Sequence, residues 1–321
     1  MMKTFSKDAS KDFVVLNLSD PQMGDENWGE NSPHQAILEY TIRELVSRVH
    51  PDLITITGDV AWAEHYASYE NLANLLDSTG VPWAPVWGNH DHQCGEGPLK
   101  KAADLLKAHP LCLLEDGDPA MGFSNYILTI TENGQPVTAL FMVDSHNSTE
   151  VEENGEKRWA YDKLWPTQID WIDTQATSLK QQGYKDGMMF LHIPLYCYRP
   201  AALTVFPGNC DAEAACGVQY EPVFSHPYDE GALDMIHRSG LITHVLAGHD
   251  HSNNFMIDYE DIRLMFAAKT GAGCYWNEKL NGGTVIRINS DGIYDAHHEF
   301  VNVAHITEGK GIPEFKYDWN K

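Results

Sequence analysis

Short apolar runs alternate with amphipathic segments along most of the chain. Phe13–Leu18 is a continuous apolar run with β-branched residues, which is typical of a buried strand. Ser32 and Pro33 then predict the start of a helix, because Ser is a preferred N-cap and Pro fits the first turn. This helix carries one apolar face and is expected to end at Pro51. Further strands are predicted at 53–57, 81–87, 188–191 and 242–247, and further helices through 72–76 and at 98–108, 167–182 and 229–239.

The remaining apolar segments indicate antiparallel pairs. Asn133 and Gly134 predict a turn between paired strands at 124–130 and 138–143. Hairpin-like strands are expected at 255–258, 262–266, 284–288 and 293–298. Alternating strands and helices followed by antiparallel strands favour a mixed α/β architecture, with two sheets covered by helices.

The chain carries no repeat, low-complexity tract or linker, so we expect a single domain over residues 1–321 with a core at about 13–300. Residues 197–227 are rich in Pro, Gly and Cys and are expected to be irregular. An irregular segment of this length inside a domain is usually functional, which predicts an active-site loop.

The charge balance narrows the class of partner. The chain has 22 Lys and Arg against 46 Asp and Glu, a net charge of −24. Such a field repels polyanions, which argues against nucleic-acid binding and against binding to anionic membranes. Small phosphorylated substrates remain compatible, because a bound metal reverses the sign of the local field. The sequence does not indicate an oligomeric state.

Membrane and disulfide signals are both weak. No apolar run approaches the roughly 18 residues of a membrane span, and the polar start lacks the apolar core of a signal peptide. The six cysteines form no Cys-x-x-Cys pair and are too sparse for a disulfide framework. We therefore expect a cytoplasmic protein. Cys210 and Cys216 could close a small loop, but free thiols are the expected state.

Metal-type ligands follow five of the predicted strands. The carboxyl ends of strands in α/β sheets line one crevice, so groups that are distant in sequence can converge there. Residues at i and i+2 of an extended chain point the same way, which pairs Asp20 with Gln22 and His249 with His251. Gly precedes Asp59, Asn89 and His249 and permits a tight turn after each strand. The five segments are Asp20-x-Gln22, Gly58-Asp59, Gly88-Asn89-His90-Asp91, His192 and Gly248-His249-Asp250-His251.

These five segments resemble the conserved blocks of the calcineurin-like metallophosphoesterases, over about residues 13–300. The Gly-Asn-His-Asp and Gly-His-Asp-His blocks, in that order, are the most specific. The surrounding sequence is closest to the small purple-acid-phosphatase-like branch of the family. That closer likeness is carried by Pro51-Asp52-Leu53-Ile54, Gln168-Ile169-Asp170-Trp171, His192-Ile193-Pro194 and Tyr198-Arg199.

The resemblance implies a four-layer α/β/β/α sandwich of two mixed sheets flanked by helices, with two divalent or trivalent metal ions (Mn, Fe or Zn). One metal would be held by Asp20, Gln22, Asp59 and His251. The other would be held by Asp59, Asn89, His192 and His249, so that Asp59 bridges the two. The pair would clamp phosphoryl oxygens and provide an activated hydroxide at neutral pH.

Catalytic and substrate-side roles also follow from the resemblance. His90 would stabilise the transition-state charge and protonate the leaving oxygen. Asp91 would orient a neighbouring donor, although a loop-capping carboxylate is an equally good interpretation. Candidate substrate-binding residues are His92, Arg199 and Asn253. Arg199 is attractive as a phosphate clamp, and a solvent-exposed loop arginine is the competing interpretation.

The sequence departs from the family at two positions. The first block usually reads Asp-x-His, and Gln22 stands here in place of the histidine. An amide oxygen is a harder and weaker ligand than imidazole, which favours Mn, Mg or Fe over Zn at the first position. The purple enzymes place a tyrosine ligand three residues after the bridging Asp, where this chain has Trp62. Indole cannot ligate iron, so no iron–tyrosinate colour is expected.

Three functions are compatible with this pattern. Metal-dependent hydrolysis of small phosphate esters, chiefly monoesters, is the leading hypothesis. A phosphodiesterase acting on cyclic nucleotides or other small diesters would use the same centre. A non-catalytic scaffold that keeps the fold as an interaction surface is the alternative from another class, and the presence of His90 together with the histidine ligands argues against it.

Overall fold

The computed structural model describes residues 2–24, 32–62, 64–93, 95–208 and 212–308. Its strands are β1 Lys3–Lys7, β2 Phe13–Leu18, β3 Leu53–Thr57, β4 Trp83–Val86, β5 Tyr126–Glu132, β6 Gln135–Met142, β7 Ser148–Glu153, β8 Glu156–Tyr161, β9 Asp186–Leu191, β10 Ala212–Ala214, β11 Gly217–Gln219, β12 Ile242–Ala247, β13 Met256–Tyr259, β14 Ile262–Phe266, β15 Gly282–Asn289 and β16 Gly292–Phe300. Its helices are α1 Pro33–Val49, α2 Tyr66–Ser78, α3 Asn89–His92, α4 Glu96–Lys107, α5 Pro166–Gln181, α6 Tyr198–Val205, α7 Ala232–Ser239 and α8 Ala304–Thr307.

Two mixed sheets form the centre of the molecule. The seven-stranded sheet has the order β1-β5-β6-β9-β12-β14-β13, and the five-stranded sheet has the order β16-β15-β2-β3-β4. Strands β2, β3 and β4 run parallel, as do β6, β9, β12 and β14, while the outer pairs β15–β16 and β13–β14 are antiparallel. Two short ribbons, β7–β8 and β10–β11, form separate two-stranded sheets.

Alternating burial along the strands shows the layer order. On β6, Leu140 and Met142 belong to a hydrophobic cluster that includes residues of both sheets. Ala139 and Phe141, on the opposite face, pack with residues of α5 and α7. Helices α1, α2 and α4 contribute to the cluster of the five-stranded sheet. The result is the expected four-layer α/β/β/α sandwich, because each sheet buries both of its faces.

Most predicted elements are confirmed, with ends that shift by a few residues. The Ser32 hydroxyl caps α1 by accepting a hydrogen bond from the backbone N–H of His34. The turn between β5 and β6 holds Asn133 and Gly134 in left-handed backbone, with φ of 52° and 77°, as an Asn-Gly hairpin requires.

Three elements differ from the expectation. Strand β1 and the ribbon β7–β8 are absent from the sequence-based prediction, since both segments are polar and lack a continuous apolar run. Residues 197–227 are not irregular throughout: they include α6 and the short ribbon β10–β11. Tertiary contacts stabilise α6, because the buried Tyr198 hydroxyl donates toward the carbonyl oxygens of Val245 and Met265.

Two further expectations can be compared with the structure. Cys210 lies outside the described residues, and Cys216 carries a free thiol. Within the described part of the chain, no helix combines the length and the apolar character needed to cross a membrane.

Candidate metal centre

Three of the predicted metal ligands meet where the two sheets adjoin. Asp20 follows β2 and Asp59 follows β3 in the five-stranded sheet, whereas His192 follows β9 in the seven-stranded sheet. Each offers a ligand atom, and these atoms all lie within 4.8 Å of one another. All three side chains are buried, so the two carboxylates have little solvent to stabilise their charge. The convergence predicted from the strand ends is therefore present in the fold.

The backbone that carries the ligands is left-handed rather than extended. Asp20, Gln22, Asp59 and His249 have φ values of 52°, 44°, 49° and 76°. The extended-chain pairing expected for Asp20 and Gln22 is therefore wrong as a geometric argument, although both side chains do enter the cluster. Non-glycine residues rarely adopt this conformation, and such strain concentrates at functional sites.

Gly88 is needed because it has no side chain, which lets its backbone approach Asp59 closely, and not because of an unusual φ angle. A Cβ built on Gly88 would lie 2.3 Å from the backbone nitrogen of Asp59 and 2.1 Å from its Oδ1 atom. Real Cβ atoms do not come so close to a backbone atom, so β4 could not pass β3 at this point with any other residue. The absence of a side chain at position 88 allows the loops carrying Asp59 and Asn89 to touch.

Backbone carbonyls fix the tautomers of two histidines. His192 Nδ1 lies 2.9 Å from the carbonyl oxygen of Thr57, and His251 Nδ1 lies 2.7 Å from that of Tyr275. A carbonyl only accepts, so each Nδ1 carries the proton and each Nε2 presents a lone pair. His192 Nε2 faces Asn89 Oδ1 at 2.9 Å and Asp59 Oδ1 at 3.3 Å. His251 Nε2 lies 3.3 Å from Asp20 Oδ1.

Acceptor atoms thus converge on a buried place, as a cation site requires. Gln22 donates its amide nitrogen to Asp59 Oδ2 at 2.9 Å, and its Oε1 atom is buried with no hydrogen-bond partner among the described residues. The same holds for His249 Nε2, while His249 Nδ1 lies 3.2 Å from His192 Nε2. Carboxylates, amide oxygens and imidazoles together suit Mn, Fe or Zn. The donor set therefore fits a metal.

The charges around the cluster shift the pKa values of its members in different directions. Burial lowers the pKa of His192, but the carboxylates of Asp59 and Asp20 outweigh it and raise the pKa, so the cluster favours positive charge at this position. Burial opposes ionisation of Asp20, but His251, His192 and Lys269 outweigh it and hold the pKa of its carboxyl well below the usual range. Burial, together with the neighbouring His192, holds the pKa of His249 well below its usual range, so this imidazole is neutral. Lys269 is itself buried and donates to the backbone carbonyl of Asp20.

Tyr275 contacts the His251 ring and Glu221 contacts Tyr275, and together they fix the orientation of this ring. The Tyr275 ring stacks on the His251 ring at a centroid distance of 4.1 Å, and the backbone carbonyl of Tyr275 accepts the hydrogen bond from His251 Nδ1. The Tyr275 hydroxyl donates to Glu221 Oε2 at 2.8 Å. Burial raises the pKa of Glu221 to about 8. This arrangement orients one ligand through its neighbours, as carbonyl and carboxylate partners do for histidines in metal sites.

His90 lies beside the cluster and faces the cavity. Its backbone N–H donates to Asp59 Oδ1 at 2.9 Å, and its ring Nε2 lies 3.8 Å from Asp59 Oδ2. Trp62 packs on the ring with a centroid distance of 4.0 Å. The indole therefore contacts His90 at the position where the purple enzymes carry their tyrosine ligand.

Asp91 and His92 connect loops. The Asp91 carboxylate accepts from the backbone N–H groups of Val60, Ala61 and Gly88 and from the Tyr69 hydroxyl. These contacts match the loop-capping interpretation of Asp91. His92 Nε2 lies 2.8 Å from Asp144 Oδ1, a buried pair beneath the segment that leads to β7.

The structure does not bring Arg199 and Asn253 to the cavity beside the metal cluster. Arg199 donates to the hydroxyl and the carbonyl of Ser225, at 2.7 Å each, and lines a separate cavity of about 370 Å³. Asn253 Oδ1 accepts from the backbone N–H groups of Tyr220 and Glu221. Both side chains thus hold the loop that precedes α7.

A cavity of about 480 Å³ opens above the cluster, and sequence reasoning missed one of its walls. One side consists of Asp59, Asn89, His90, His249 and His251. Another part of the lining comes from the β7–β8 ribbon and the segment before it: Asn147, Ser148, Trp159 and Tyr161. The Asn-Gly pair at 154–155 was the available signal, because it marks a two-residue hairpin turn as clearly as 133–134 does.

Comparison with known proteins agrees with this geometry. The model of the calcineurin-like phosphoesterase family matches residues 13–253, which include all of the predicted metal ligands. The chain belongs to the calcineurin-like phosphoesterase family. This calcineurin-like phosphoesterase is 27% identical to "Phosphatase DCR2" of Saccharomyces cerevisiae, a match that covers 96% of this chain and 55% of that one.

Two other relatives carry different names. "Probable inactive purple acid phosphatase 14" of Arabidopsis thaliana is 25% identical, over 77% of this chain and 65% of its own length. "Probable cyclic nucleotide phosphodiesterase" of Psychrobacter arcticus is 29% identical, over 54% of this chain and 53% of its own. The phosphoesterase described here thus spans about half to two thirds of the length of these relatives.

Proposed function

We propose that this chain hydrolyses small phosphate monoesters at a dinuclear metal centre. The observation that carries the proposal is the set of facing lone pairs on His192 Nε2, Asp59 Oδ1 and Asn89 Oδ1. His192 Nε2 lies 2.9 Å from Asn89 Oδ1 and 3.3 Å from Asp59 Oδ1 in a buried place, so a cation among these atoms would be stabilising. The family membership of the chain supports the reaction class.

The proposed ligands fall into two sets that share Asp59. One set is Asp20, Gln22, Asp59 and His251, and the other is Asp59, Asn89, His192 and His249. Bound divalent cations supply Lewis-acid stabilisation of phosphoryl oxygens and lower the pKa of water. Asp59 lies close to a member of each set, because its Oδ1 is 3.3 Å from His192 Nε2 and its Oδ2 accepts from the Gln22 amide nitrogen, so it would be shared by the two sets.

His90 is proposed to donate a proton to the leaving alcohol. Its ring lies at the edge of the cavity, with about a fifth of the side chain exposed, so a substrate oxygen can reach it. The Trp62 ring and the backbone bond to Asp59 restrict its position. An imidazole restrained in this way at the edge of the cavity suits the role of a general acid toward a leaving alcohol.

A diesterase reaction is the second candidate. One relative is named as a cyclic nucleotide phosphodiesterase, and a cavity of about 480 Å³ lies in the size range of small-molecule sites. The monoester proposal is preferred because a relative matched over 96% of this chain is named as a phosphatase.

A paired assay separates the candidates. The purified chain is loaded with Mn, its metal content is measured, and para-nitrophenyl phosphate is compared with bis-para-nitrophenyl phosphate. We expect about two metals per chain and faster hydrolysis of the monoester. Faster hydrolysis of the diester would favour the second candidate. Bound metal with hydrolysis of neither ester would overturn the catalytic proposal and favour a non-catalytic scaffold, a role consistent with the relative named inactive.

A further inference from the structure

The ribbon β7–β8 forms a wall of the cavity beside the proposed metal ligands. Ser148 and Tyr161 pair at the base of the ribbon, where both line the cavity. The backbone N–H of Asp162 donates to the carbonyl of Asn147 and closes this base. The ribbon is therefore anchored at the cluster, and its turn at 154–155 lies at the far end.

Two aromatic side chains extend along the cavity face of the ribbon. Trp159 and Tyr161 are two residues apart on β8, so their side chains leave the same face of the strand. Their rings meet edge to face with centroids 4.7 Å apart. The Tyr161 ring in turn meets the edge of the His249 ring at 4.4 Å. A continuous aromatic row thus runs from the metal ligand His249 to the rim of the cavity.

Trp159 stands at the outer end of this row with a free face. The residue is 63% exposed, the largest fraction among the large hydrophobic side chains of the described chain, although it lines the cavity. Tyr161 contacts it in an edge arrangement, which leaves much of the indole surface uncovered. An indole exposed to this extent contributes little to folding, because little of its apolar area is removed from water. A planar group can cover the ring by stacking.

We infer that the leaving alcohol or phenol of the natural substrate carries a planar aromatic group, such as an aryl ring or a nucleobase, that stacks on Trp159 while the phosphate lies at the metal centre. This inference rests on the proposed function. The cavity agrees with it, because its volume of about 480 Å³ is lined both by His90 and His249 and by Tyr161 and Trp159, which leaves room for a phosphate at the cluster and a planar group at the indole. Stacking of a planar ring against an exposed indole is worth a substantial factor in affinity and tolerates many ring types.

Two phosphonates of nearly equal size test the inference on the full chain loaded with Mn. Benzylphosphonate carries a planar ring, and cyclohexylmethylphosphonate carries a puckered one. Calorimetric titration gives the ratio of their dissociation constants. We expect the unmodified chain to prefer benzylphosphonate by about tenfold, a factor at the lower end of that known for aromatic stacking. Trp159→Ala should lower this ratio to about one, and Trp159→Phe should retain most of it.

A matched control variant is available on another strand. Phe300 is 40% exposed, ends β16 and does not line the cavity, so Phe300→Ala should leave the ratio unchanged. Equal affinity of the unmodified chain for the two phosphonates would overturn the inference. So would binding of neither phosphonate, or a preference that survives in Trp159→Ala.

Hydrolysis of para-nitrophenyl phosphate, measured in parallel, separates this inference from the proposed function. Hydrolysis without a preference between the phosphonates rejects only the role of Trp159. A preference that depends on Trp159, without hydrolysis of any ester, rejects the catalytic proposal and leaves an aromatic phosphate-binding site.

Discussion

The two walls of the cavity are built in opposite ways. The metal wall stands on the ends of β2, β3, β4, β9 and β12, which are buried strands that are central in their sheets, apart from the edge strand β4. The ribbon wall is a separate two-stranded sheet with mostly exposed side chains. A pair of strands without a hydrophobic face is only marginally stable by itself. The rigid wall can hold reacting groups in fixed positions, whereas the ribbon can vary in sequence at small cost to the fold.

Loss of the bridging carboxylate should have the largest effect on the metal wall. We predict that Asp59→Asn removes at least one metal and most of the activity, because both proposed ligand sets share Asp59. Elemental analysis and the monoester assay measure the two effects. Two metals at full occupancy in this variant would refute the bridging role.

A single methyl group at Gly88 should disrupt the same wall without altering any ligand. Gly88→Ala places a Cβ against the backbone of Asp59, and we expect a loss of at least about 2 kcal/mol in the free energy of unfolding, together with loss of metal. Chemical denaturation provides the measurement. Gly97→Ala, in α4, is the control: its Cβ meets open space, so this change should be neutral or stabilising. Equal stability of the two variants would show that β3 and β4 separate more easily than the structure indicates.

His90 should affect turnover without affecting metal content. His90→Ala is expected to lower kcat by about 10²–10⁴, the usual contribution of one general acid. The loss should shrink for esters with acidic leaving alcohols, because these depart without protonation. Measurement over a series of leaving groups is decisive, and a uniform loss across the series would assign His90 to phosphate positioning instead.

The smallest effect should come from the turn of the ribbon, and it compares the two kinds of hairpin directly. Gly134 and Gly155 each follow an asparagine in a two-residue turn, with φ of 77° and 81° and no atom within 4 Å of an added Cβ. Substitution by Ala therefore costs about 1–2 kcal/mol of local backbone strain in both.

Only the location of the strain differs between these two variants. Gly134→Ala strains a hairpin of the seven-stranded sheet and should lower the free energy of global unfolding. Gly155→Ala should accelerate hydrogen exchange in the ribbon alone, with an unchanged midpoint of thermal unfolding. If Gly155→Ala destabilised the whole chain as much as Gly134→Ala, the ribbon would be an integral part of the core, contrary to the comparison above.

The sequence was informative where local rules and burial agree. The strands 13–18, 53–57 and 242–247 were predictable from apolar runs that end in turn residues, and the ligands after them followed from the rule that strand ends share a crevice. The roles of Gly88 and of the left-handed ligand residues were not predictable, because they depend on distances between segments that are far apart in sequence.

The ribbon was missed for a different physical reason. Its strands carry Glu, Lys or Arg at half of their positions, so neither burial nor apolar alternation marked them. The Asn-Gly pair at 154–155 was a valid turn signal, but a turn alone does not show where a hairpin lies. The position of Trp159 at the cavity depends on the contact between Tyr161 and His249, which only the folded chain reveals.

The position of the ligands where the two sheets adjoin also has a mechanical consequence. Asp59 follows a strand of one sheet and His192 follows a strand of the other. An ion held by both side chains, as proposed, would therefore link the two sheets. Each tenfold excess of free metal over its dissociation constant then adds about 1.4 kcal/mol of resistance to unfolding. The supply of metal would thus affect the lifetime of the folded chain as well as its proposed catalytic activity. In a cell that is poor in the metal, fewer copies of the chain would stay folded, and the folded copies without metal would be inactive.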